Sequence, residues 1–379
     1  MTITRFSFPT TIHFGPGARK LCGPHLAERG LKRPLIVTDK GLATLPLMAE
    51  LVADLEAAGL APKLYGGVFG NPTGSQVMNG AAAYRDHGAD CVVGIGGGAA
   101  LDVSKIVGLL ATHPGDVMEY VWDHPQVRAI GADLPYYVAL PTTSGTGSEV
   151  GRSSVISEED THVKRVVFSP LILAKVVFAD PELTLGLPPA ITAATGMDAL
   201  THNVESYLSP AYHPLCDGIA LEGVRIAARS LVKAVQQPND VDARADMMMS
   251  SMMGAIAFQK DLGAVHSCAH ALGTVCDMHH GLANALMIDT VLAWNVPAAG
   301  RKFEELAHAV GVGGGAAGFL DWLRQLKRTI GIAPSLTAAG VKRESIPRLV
   351  EIATADICHQ TNPQPVTAAD FERLFEEAV

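Results

Sequence analysis

The sequence predicts a two-domain protein, with an α/β domain over residues 1–185 followed by an all-helical domain over 186–379. At 379 residues the chain is long for a single hydrophobic core, which favours two domains. The first half alternates short apolar runs with amphipathic segments, whereas the second half contains long Ala-, Leu- and Met-rich segments with few β-branched clusters. The two halves therefore belong to different fold classes.

Strands and helices are expected to alternate through the first half. Apolar runs predict strands at 33–39, 64–70, 89–98 and 135–143. Amphipathic segments between them predict helices at 45–59, 75–88 and 99–112. This alternation is typical of an open, mostly parallel sheet with helices on both faces.

The second half is expected to be helical throughout. Helices are predicted at 191–208, 216–236, 243–258, 264–273 and 371–379. The glycine-rich stretch 311–318 is expected to be a loop between two helices. We find no internal repeat and no low-complexity linker that would indicate a further domain.

Composition argues against several classes of protein. Hydrophobic residues make up 48% of the chain and charged residues 18%, which is typical of a globular enzyme rather than a disordered chain. The net charge of −9 argues against nucleic acids and anionic membranes as partners. The six cysteines form no C-x-x-C pair, and no uncharged apolar run approaches the length of a membrane span. We therefore expect a cytoplasmic protein with reduced thiols.

One carboxylate and a set of imidazoles have spacings suited to a single metal ion. Asp198 and His202 are four residues apart. His266 and His270 are also four apart, and His280 follows in the same segment. Residues at i and i+4 lie on one face of a helix, and polar groups among Ala, Gly, Leu and Val need a buried partner. An isolated pair is usually only hydrogen-bonded or solvated, so the prediction of a catalytic divalent metal depends on both segments together.

Two segments rich in glycine or hydroxyl groups follow predicted strands. Glycines at 94–98 would let a pyrophosphate approach the backbone at the start of a helix. The dinucleotide fingerprint expects an acid about twenty residues later at a strand end, but the acid that ends a strand is Asp39, upstream. The segment PTTSGTGSEV at 141–150 packs five hydroxyls and two glycines into eight residues, which suits phosphate and ribose binding. The alternative for each segment is an ordinary loop.

The chain resembles the iron-containing (group III), metal-dependent alcohol dehydrogenases from about Phe8 to its C-terminus. The segments that carry the resemblance are, in order, GIGGGAALDVSK, PTTSGTGSEV, ADPELTLGLPP, TGMDALTHNVESYLS and HSCAHALGTVCDMHHGLANA. The resemblance implies a dehydroquinate synthase-like architecture, with a Rossmann-like α/β dinucleotide-binding domain, an all-α metal-binding domain and a cleft between them. It also implies a homodimer or a larger homo-oligomer.

The resemblance assigns roles to individual residues. The metal ligands would be Asp198, His202, His266 and His280. His270 would be the non-ligand histidine beside the metal, able to pass the alcohol proton to solvent. The cofactor site would be formed by Asp39, Asn71, Gly97, Gly98, Ala99, Asp102, Thr142, Thr143 and Lys164.

Two positions depart from the usual family pattern. Ala99 stands where the family usually has Ser, which removes a hydroxyl but keeps the backbone donors. His279 stands where the family usually has Pro before the last ligand, so two adjacent imidazoles are available there. The family interval of fourteen residues after His266 selects His280.

The expected activity is hydride transfer between a nicotinamide cofactor and an alcohol/aldehyde pair, with a short primary alcohol as the expected substrate. Asp39 favours NAD over NADP because a carboxylate accepts hydrogen bonds from a free 2′-hydroxyl and repels a 2′-phosphate. Fe²⁺ is the expected metal, although Zn²⁺ and other divalent ions accept the same ligands. The alternatives are a glycerol-type polyol dehydrogenase, a maleylacetate-type reductase, and a non-catalytic protein that binds metal or nucleotide.

Overall fold

The computed structural model describes Phe8 and residues 10–379. Contacts divide these residues into two compact units. The α/β unit contains 10–143 and Ser148–Thr184, and the helical unit contains Ser144–Gly147 and Leu185–Val379, together with Phe8. The predicted fold class is confirmed, and the boundary between residues 185 and 186 stays a prediction.

The α/β unit is built on a parallel sheet. In chain order its strands are β1 (Thr11–Phe14), β2 (Pro34–Asp39), β3 (Lys63–Val68), β4 (Cys91–Gly96), β5 (Tyr136–Pro141), β6 (Ser153–Ser157), β7 (Lys164–Phe168) and β8 (Val176–Ala179). Six of them form one parallel sheet in the order β1-β8-β5-β4-β2-β3, and β6 and β7 form a separate antiparallel pair. Its helices are α1 (Cys22–Glu28), α2 (Pro46–Ala57), α3 (Gly74–His87) and α4 (Gly98–Thr112).

The strands predicted from apolar runs are β2, β4 and β5 in the interior of the sheet and β3 at its edge. Every residue of β4 is buried, and β2 is buried up to its last residue, as expected for parallel strands covered on both faces. Strands β1, β6, β7 and β8 were not predicted. Each has only four or five residues, and β1 is partly exposed at the edge of the sheet, so its apolar signal is weak.

The helical unit contains eight α-helices among the described residues. They are α5 (Pro189–Leu208), α6 (Pro214–Gln236), α7 (Val241–Ala257), α8 (Ala264–Cys276), α9 (His280–Ala309), α10 (Gly315–Thr329), α11 (Ile346–Ala355) and α12 (Ala368–Ala378). Helix α5 is buried on all sides from Thr192 to Leu208, so it forms the centre of the unit. None of the helices described is long and apolar enough to cross a membrane.

The glycine-rich stretch 311–318 is only partly a loop, which corrects the expectation from sequence. Helix α10 begins at Gly315, directly after Gly314 in a left-handed conformation with φ of 82°. The apolar face of α10, which buries Phe319 and Leu323, stabilises the helix despite the poor helix propensity of its first residue.

A buried carboxyl group lies inside the α/β unit. Glu149 is 2% exposed, and its Oε1 has no hydrogen-bond partner among the described residues. Nearby, the buried Lys105 Nζ donates to Ser148 Oγ at 2.8 Å and to the carbonyl of Ser153 at 2.6 Å. Burial raises the pKa of Glu149 to about 7, and the positive charge of Lys105 opposes this only in part. Glu149 is therefore largely protonated at mildly acidic pH in the folded protein.

We expect the Glu149→Gln variant to gain stability relative to the wild type as the pH rises. The folded-state pKa of about 7 lies above the ordinary value of 4.5, so the wild type has stability below pH 4.5 that is lost as the pH rises through 7. An amide does not titrate, so the difference in free energy of unfolding should change by roughly 1–3 kcal/mol between pH 5 and pH 8. Thermal unfolding of the two proteins, each freed of metal with a chelator, measures this difference at each pH. A difference in free energy of unfolding that does not change with pH contradicts the prediction.

Candidate metal centre and nucleotide site

Four side chains singled out in the sequence converge in the helical unit. One ligand atom each from Asp198, His202, His266 and His280 lies within 4.8 Å of the other three. Asp198 Oδ1 is 4.0 Å from His202 Nδ1 and 3.9 Å from His266 Nε2. It is 3.4 Å from His280 Nε2. These separations suit one ion about 2 Å from each atom.

Three helices bring these groups together. Helix α5 supplies Asp198 and His202 one turn apart, α8 supplies His266, and α9 begins at His280. The side chain of His280 is 24% exposed, whereas the other three residues are buried. Gly281 permits this arrangement, because a Cβ at that position would lie 2.2 Å from the backbone oxygen of Ala194 in α5. The start of α9 can therefore pack directly against α5.

The structure separates the two adjacent histidines before α9. His280 belongs to the cluster, whereas His279 is exposed and precedes the helix. The ring of His280 lies 5.4 Å from the rings of both His266 and His270, measured between centroids. The position selected by the family interval is thus the one that the fold directs toward Asp198.

The chemistry of the cluster fits a divalent metal. The buried Nδ1 of His202 has no hydrogen-bond partner among the described residues. Burial lowers the pKa of His202 to about 4, and the Asp198 carboxylate opposes this only in part, so the imidazole is neutral at pH 7. A carboxylate with imidazoles and no thiolate is a donor set typical of catalytic divalent ions.

Glu205 is a residue of this site that the sequence analysis missed. Its Oε2 accepts a hydrogen bond from His266 Nδ1 at 2.5 Å, and its Oε1 accepts one from the backbone N–H of Val265 at 2.8 Å. With the proton on Nδ1, His266 directs the lone pair of Nε2 toward Asp198. The signal in the sequence was the spacing of Asp198, His202 and Glu205, which places all three on one face of α5.

Asn284 is a second residue that was missed. Its Nδ2 donates to Asp198 Oδ1 at 2.7 Å, and it lies 3.4 Å from His266 Nε2 and 3.3 Å from His280 Nε2. Asn284 is fully buried on α9, one turn after His280. The amide therefore holds the carboxylate of Asp198 in place, and the i, i+4 spacing from His280 was the available signal.

His270 lies beside the cluster and contributes no atom to it. Its ring is stacked on that of His280, with 5.4 Å between centroids and 20° between planes. Its Nδ1 contacts Asp356 Oδ2 at 2.8 Å, and its side chain is 23% exposed. The histidine expected beside the metal therefore lies next to the candidate ligands, in partial contact with solvent.

Predicted cofactor residues lie at the carboxyl ends of neighbouring strands. Asp39 ends β2, Gly97 and Gly98 follow β4, and Thr142 and Thr143 follow β5. Strands β2, β4 and β5 are adjacent in the sheet, so these groups lie along one edge. This is the edge at which open α/β sheets bind their ligands. Asp39 precedes the glycine-rich segment in the sequence, but the fold places both along the same edge of the sheet.

Asp39 is fixed in place by its own turn. Its Oδ1 accepts a hydrogen bond from the backbone N–H of Leu42 at 2.8 Å. This contact engages one of the two carboxylate oxygens at the end of β2. A carboxylate held in this way can accept hydrogen bonds from a ribose through its other oxygen.

The other predicted cofactor residues lie in different surroundings. Ala99 is in the first turn of α4, Asn71 follows β3, and Lys164 begins β7. The Asp102 carboxylate is engaged within the protein. Its Oδ1 accepts from Ser148 Oγ at 2.6 Å and Lys105 Nζ at 3.4 Å, and its Oδ2 accepts from the backbone N–H of Val155 at 2.8 Å. Asp102 therefore anchors the chain after β5, and its role in cofactor binding stays a prediction.

The glycines of PTTSGTGSEV have a packing role that the sequence did not indicate. Residues Ser144–Gly147 cluster with the helical unit. A Cβ at Gly147 would lie 2.3 Å from the Cβ of Ala255 in α7, and Gly147 has a φ of +60°. The bare backbone at this position is therefore required for close packing, whatever the hydroxyl groups of the segment bind.

Comparisons with known proteins agree along the whole chain. A family model described as iron-containing alcohol dehydrogenase matches residues 9–181, and the C-terminal model of the Fe-containing alcohol dehydrogenase family matches 192–379. The chain is 37% identical over 379 residues to 4-hydroxybutyrate dehydrogenase of Cupriavidus necator, covering 98% of both.

Solved structures give the same result. A crystal structure of 1,3-propanediol oxidoreductase matches with a TM-score of 0.95 and 35% identity, covering 100% of both chains. Sulfoacetaldehyde reductase from Bifidobacterium kashiwanohense, solved in complex with NAD⁺, matches with a TM-score of 0.92 and 27% identity, covering 100% of this chain and 99% of the other.

The expectation of an oxidoreductase that acts on an alcohol/aldehyde pair is confirmed by these matches. They also imply a divalent metal and a nicotinamide cofactor, for which the cluster and the sheet edge offer suitable groups. The chain belongs to the iron-containing alcohol dehydrogenase family.

Proposed function

We propose that the protein is an NAD-dependent dehydrogenase of short primary alcohols with Fe²⁺ as its metal. The metal would be held by Asp198, His202, His266 and His280. The convergence of these four donors within 4.8 Å supports the proposal most directly. The complete donor set argues against a metal-free reductase of the maleylacetate type, because such an enzyme has no need for it.

A divalent ion in this cluster would lower the pKa of an alcohol and polarise the carbonyl group of an aldehyde. Glu205 orients His266, and Asn284 orients Asp198, so the donors need little rearrangement to bind an ion. His270 takes the hydroxyl proton in the oxidation direction and returns it in the reduction direction. Its partial exposure allows exchange of that proton with solvent.

The cofactor is proposed to be NAD. Asp39 at the end of β2 supports this, since its charge disfavours a 2′-phosphate. A relative solved with NAD⁺ shares the fold over the whole chain, which is consistent with the same choice. Gly97, Gly98 and Ala99 would place backbone N–H groups of the first turn of α4 against the pyrophosphate.

The substrate is proposed to carry a terminal primary hydroxyl. Two similar proteins are named for 4-hydroxybutyrate and 1,3-propanediol, and in both compounds the reacting group is such a hydroxyl. We also propose a cytoplasmic location, consistent with six free cysteines. A homodimer or larger homo-oligomer is proposed from the family alone.

We expect chelation to abolish turnover and added Fe²⁺ to restore it, since the proposed chemistry needs an ion.

Glu205→Gln should weaken metal binding by about 10- to 100-fold, because His266 would lose the carboxylate that orients it. Titration of the metal-free proteins with Co²⁺, in competition with a chelator of known affinity, measures their affinity for Co²⁺. Glu222→Gln, an exposed change on α6, serves as the control. Full activity in metal-free protein would exclude the proposed metal site.

We expect Asp39→Gly to raise the ratio of kcat/KM for NADPH to that for NADH by roughly tenfold or more, because the variant no longer repels a 2′-phosphate. Asp39→Asn keeps a hydrogen-bonding side chain without the charge and should give a smaller change. Steady-state kinetics with both cofactors measures the ratio. A ratio equal to that of the wild type in both variants contradicts the assignment of Asp39.

We expect the Fe²⁺-loaded protein to oxidise NADH under anaerobic conditions with short straight-chain aldehydes. Aldehydes of three or four carbons with a second polar group at the far end, such as succinic semialdehyde and 3-hydroxypropionaldehyde, should be among the best substrates. Secondary alcohols and ketones serve as the comparison in the oxidation and reduction assays. Preference for ketones over all the aldehydes would overturn the proposed substrate class.

A further inference from the structure

Helix α8 carries two imidazoles one turn apart, and a carboxylate contacts the Nδ1 of each. His266 Nδ1 is 2.5 Å from Glu205 Oε2, and His270 Nδ1 is 2.8 Å from Asp356 Oδ2. Only His266 contributes to the cluster of four metal donors. A carboxylate therefore contacts each ring, but only the ring of His266 belongs to the candidate metal donors. Asp356, which contacts His270, is not one of the four donors.

Asp356 is firmly held where it meets His270. Its Oδ1 accepts hydrogen bonds from Ser267 Oγ and from the backbone N–H of Cys358, each at 2.8 Å. Ser267 Oγ in turn accepts from the backbone N–H of His359 at 2.9 Å. These contacts use one carboxylate oxygen and leave Oδ2 to His270. The orientation of the carboxylate is therefore set by the loop after α11 and by α8, independently of the metal donors.

This contact determines which nitrogen of His270 carries the proton. An ionised carboxylate only accepts hydrogen bonds, so Nδ1 must donate and carry the proton in the neutral ring. Nε2 then has the lone pair. Stacking on His280 at 20° restricts the plane of the ring, so the direction of Nε2 is restricted as well.

We propose that Asp356 is a positioning residue that holds His270 as the Nδ1–H tautomer, with Nε2 as the proton acceptor for the alcohol. The inference rests on the proposed function, in which His270 takes that proton. In the oxidation the hydroxyl proton goes to Nε2, the hydride goes from the carbon to NAD⁺, and the aldehyde is formed. The imidazolium then releases its proton to solvent, so the products are aldehyde, NADH and a proton.

The tautomer can be observed directly in the wild type. We expect ¹⁵N-histidine NMR of the Zn²⁺-loaded protein to show His270 protonated at Nδ1 and not at Nε2, with the signal assigned from a His270→Asn variant. Zn²⁺ is used because it is diamagnetic. A wild-type His270 protonated at Nε2 overturns the proposal whatever the variants do.

Asp356→Asn tests the consequence of losing the carboxylate. The amide can donate to Nδ1, which would shift the proton of His270 to Nε2. We expect kcat with Fe²⁺ to fall by about 10- to 100-fold, with little change in KM or in Co²⁺ affinity. Asp356→Glu should recover part of kcat, and the exposed change Asp321→Asn on α10 should have no effect.

The outcomes separate this inference from the proposed function. Loss of Co²⁺ affinity in Asp356→Asn would show that Asp356 acts on the metal centre and not through His270 alone. Unchanged kcat despite a shifted tautomer would show that the tautomer has no role in turnover. Either result overturns the role of Asp356 and leaves the proposed function standing. A wild-type protein with the expected tautomer that turns over no alcohol or aldehyde refutes the proposed function instead. Glu205→Gln gives the contrasting result, because it should lower metal affinity without changing the tautomer of His270.

Discussion

The contacts around the buried carboxylate of Asp198 are the constraint on which the helical unit depends. A carboxylate in the centre of a helical core is costly unless positive charge or hydrogen-bond donors compensate for it. Asn284 supplies one donor at 2.7 Å, and three imidazoles lie within 4.0 Å of the same oxygen. Helices α5, α8 and α9 must meet at this point, so their packing is set by polar groups as much as by the apolar residues around them.

The polar groups around Asp198 are arranged in layers. The donors lie innermost, and Glu205 and Asn284 contact them from the neighbouring turns of α5 and α9. Asp356 lies farther out, where it contacts His270, whose ring packs against the rings of His266 and His280. Glu205 and Asn284 restrict the torsion angles of His266 and Asp198, which lowers the rearrangement that metal binding requires.

Local patterns of periodicity or spacing predicted strands β2 to β5, helices α2 to α4, and the candidate donors on α5 and α8. The choice of His280 as the fourth donor came from the family resemblance. Glu205 and Asp356 could not be identified so directly. Glu205 lay in the right helical register but resembled an ordinary helix acid, and Asp356 meets His270 across 86 residues of sequence. Asp102 is engaged by Ser148, Lys105 and Val155 inside the protein, contacts that its motif position did not indicate, and its role at the cofactor stays a prediction.

The path of the chain at Ser144–Gly147 has a consequence for how such proteins can diversify. These four residues leave the α/β unit after β5, cluster with the helical unit, and return before β6. Glycine is required at position 147 because a Cβ there would clash with Ala255 of α7. Exchange of residues 1–184 between related genes would import a loop adapted to a different α7. A chimaera joined after Thr184 would therefore need compensating substitutions in this loop or in α7.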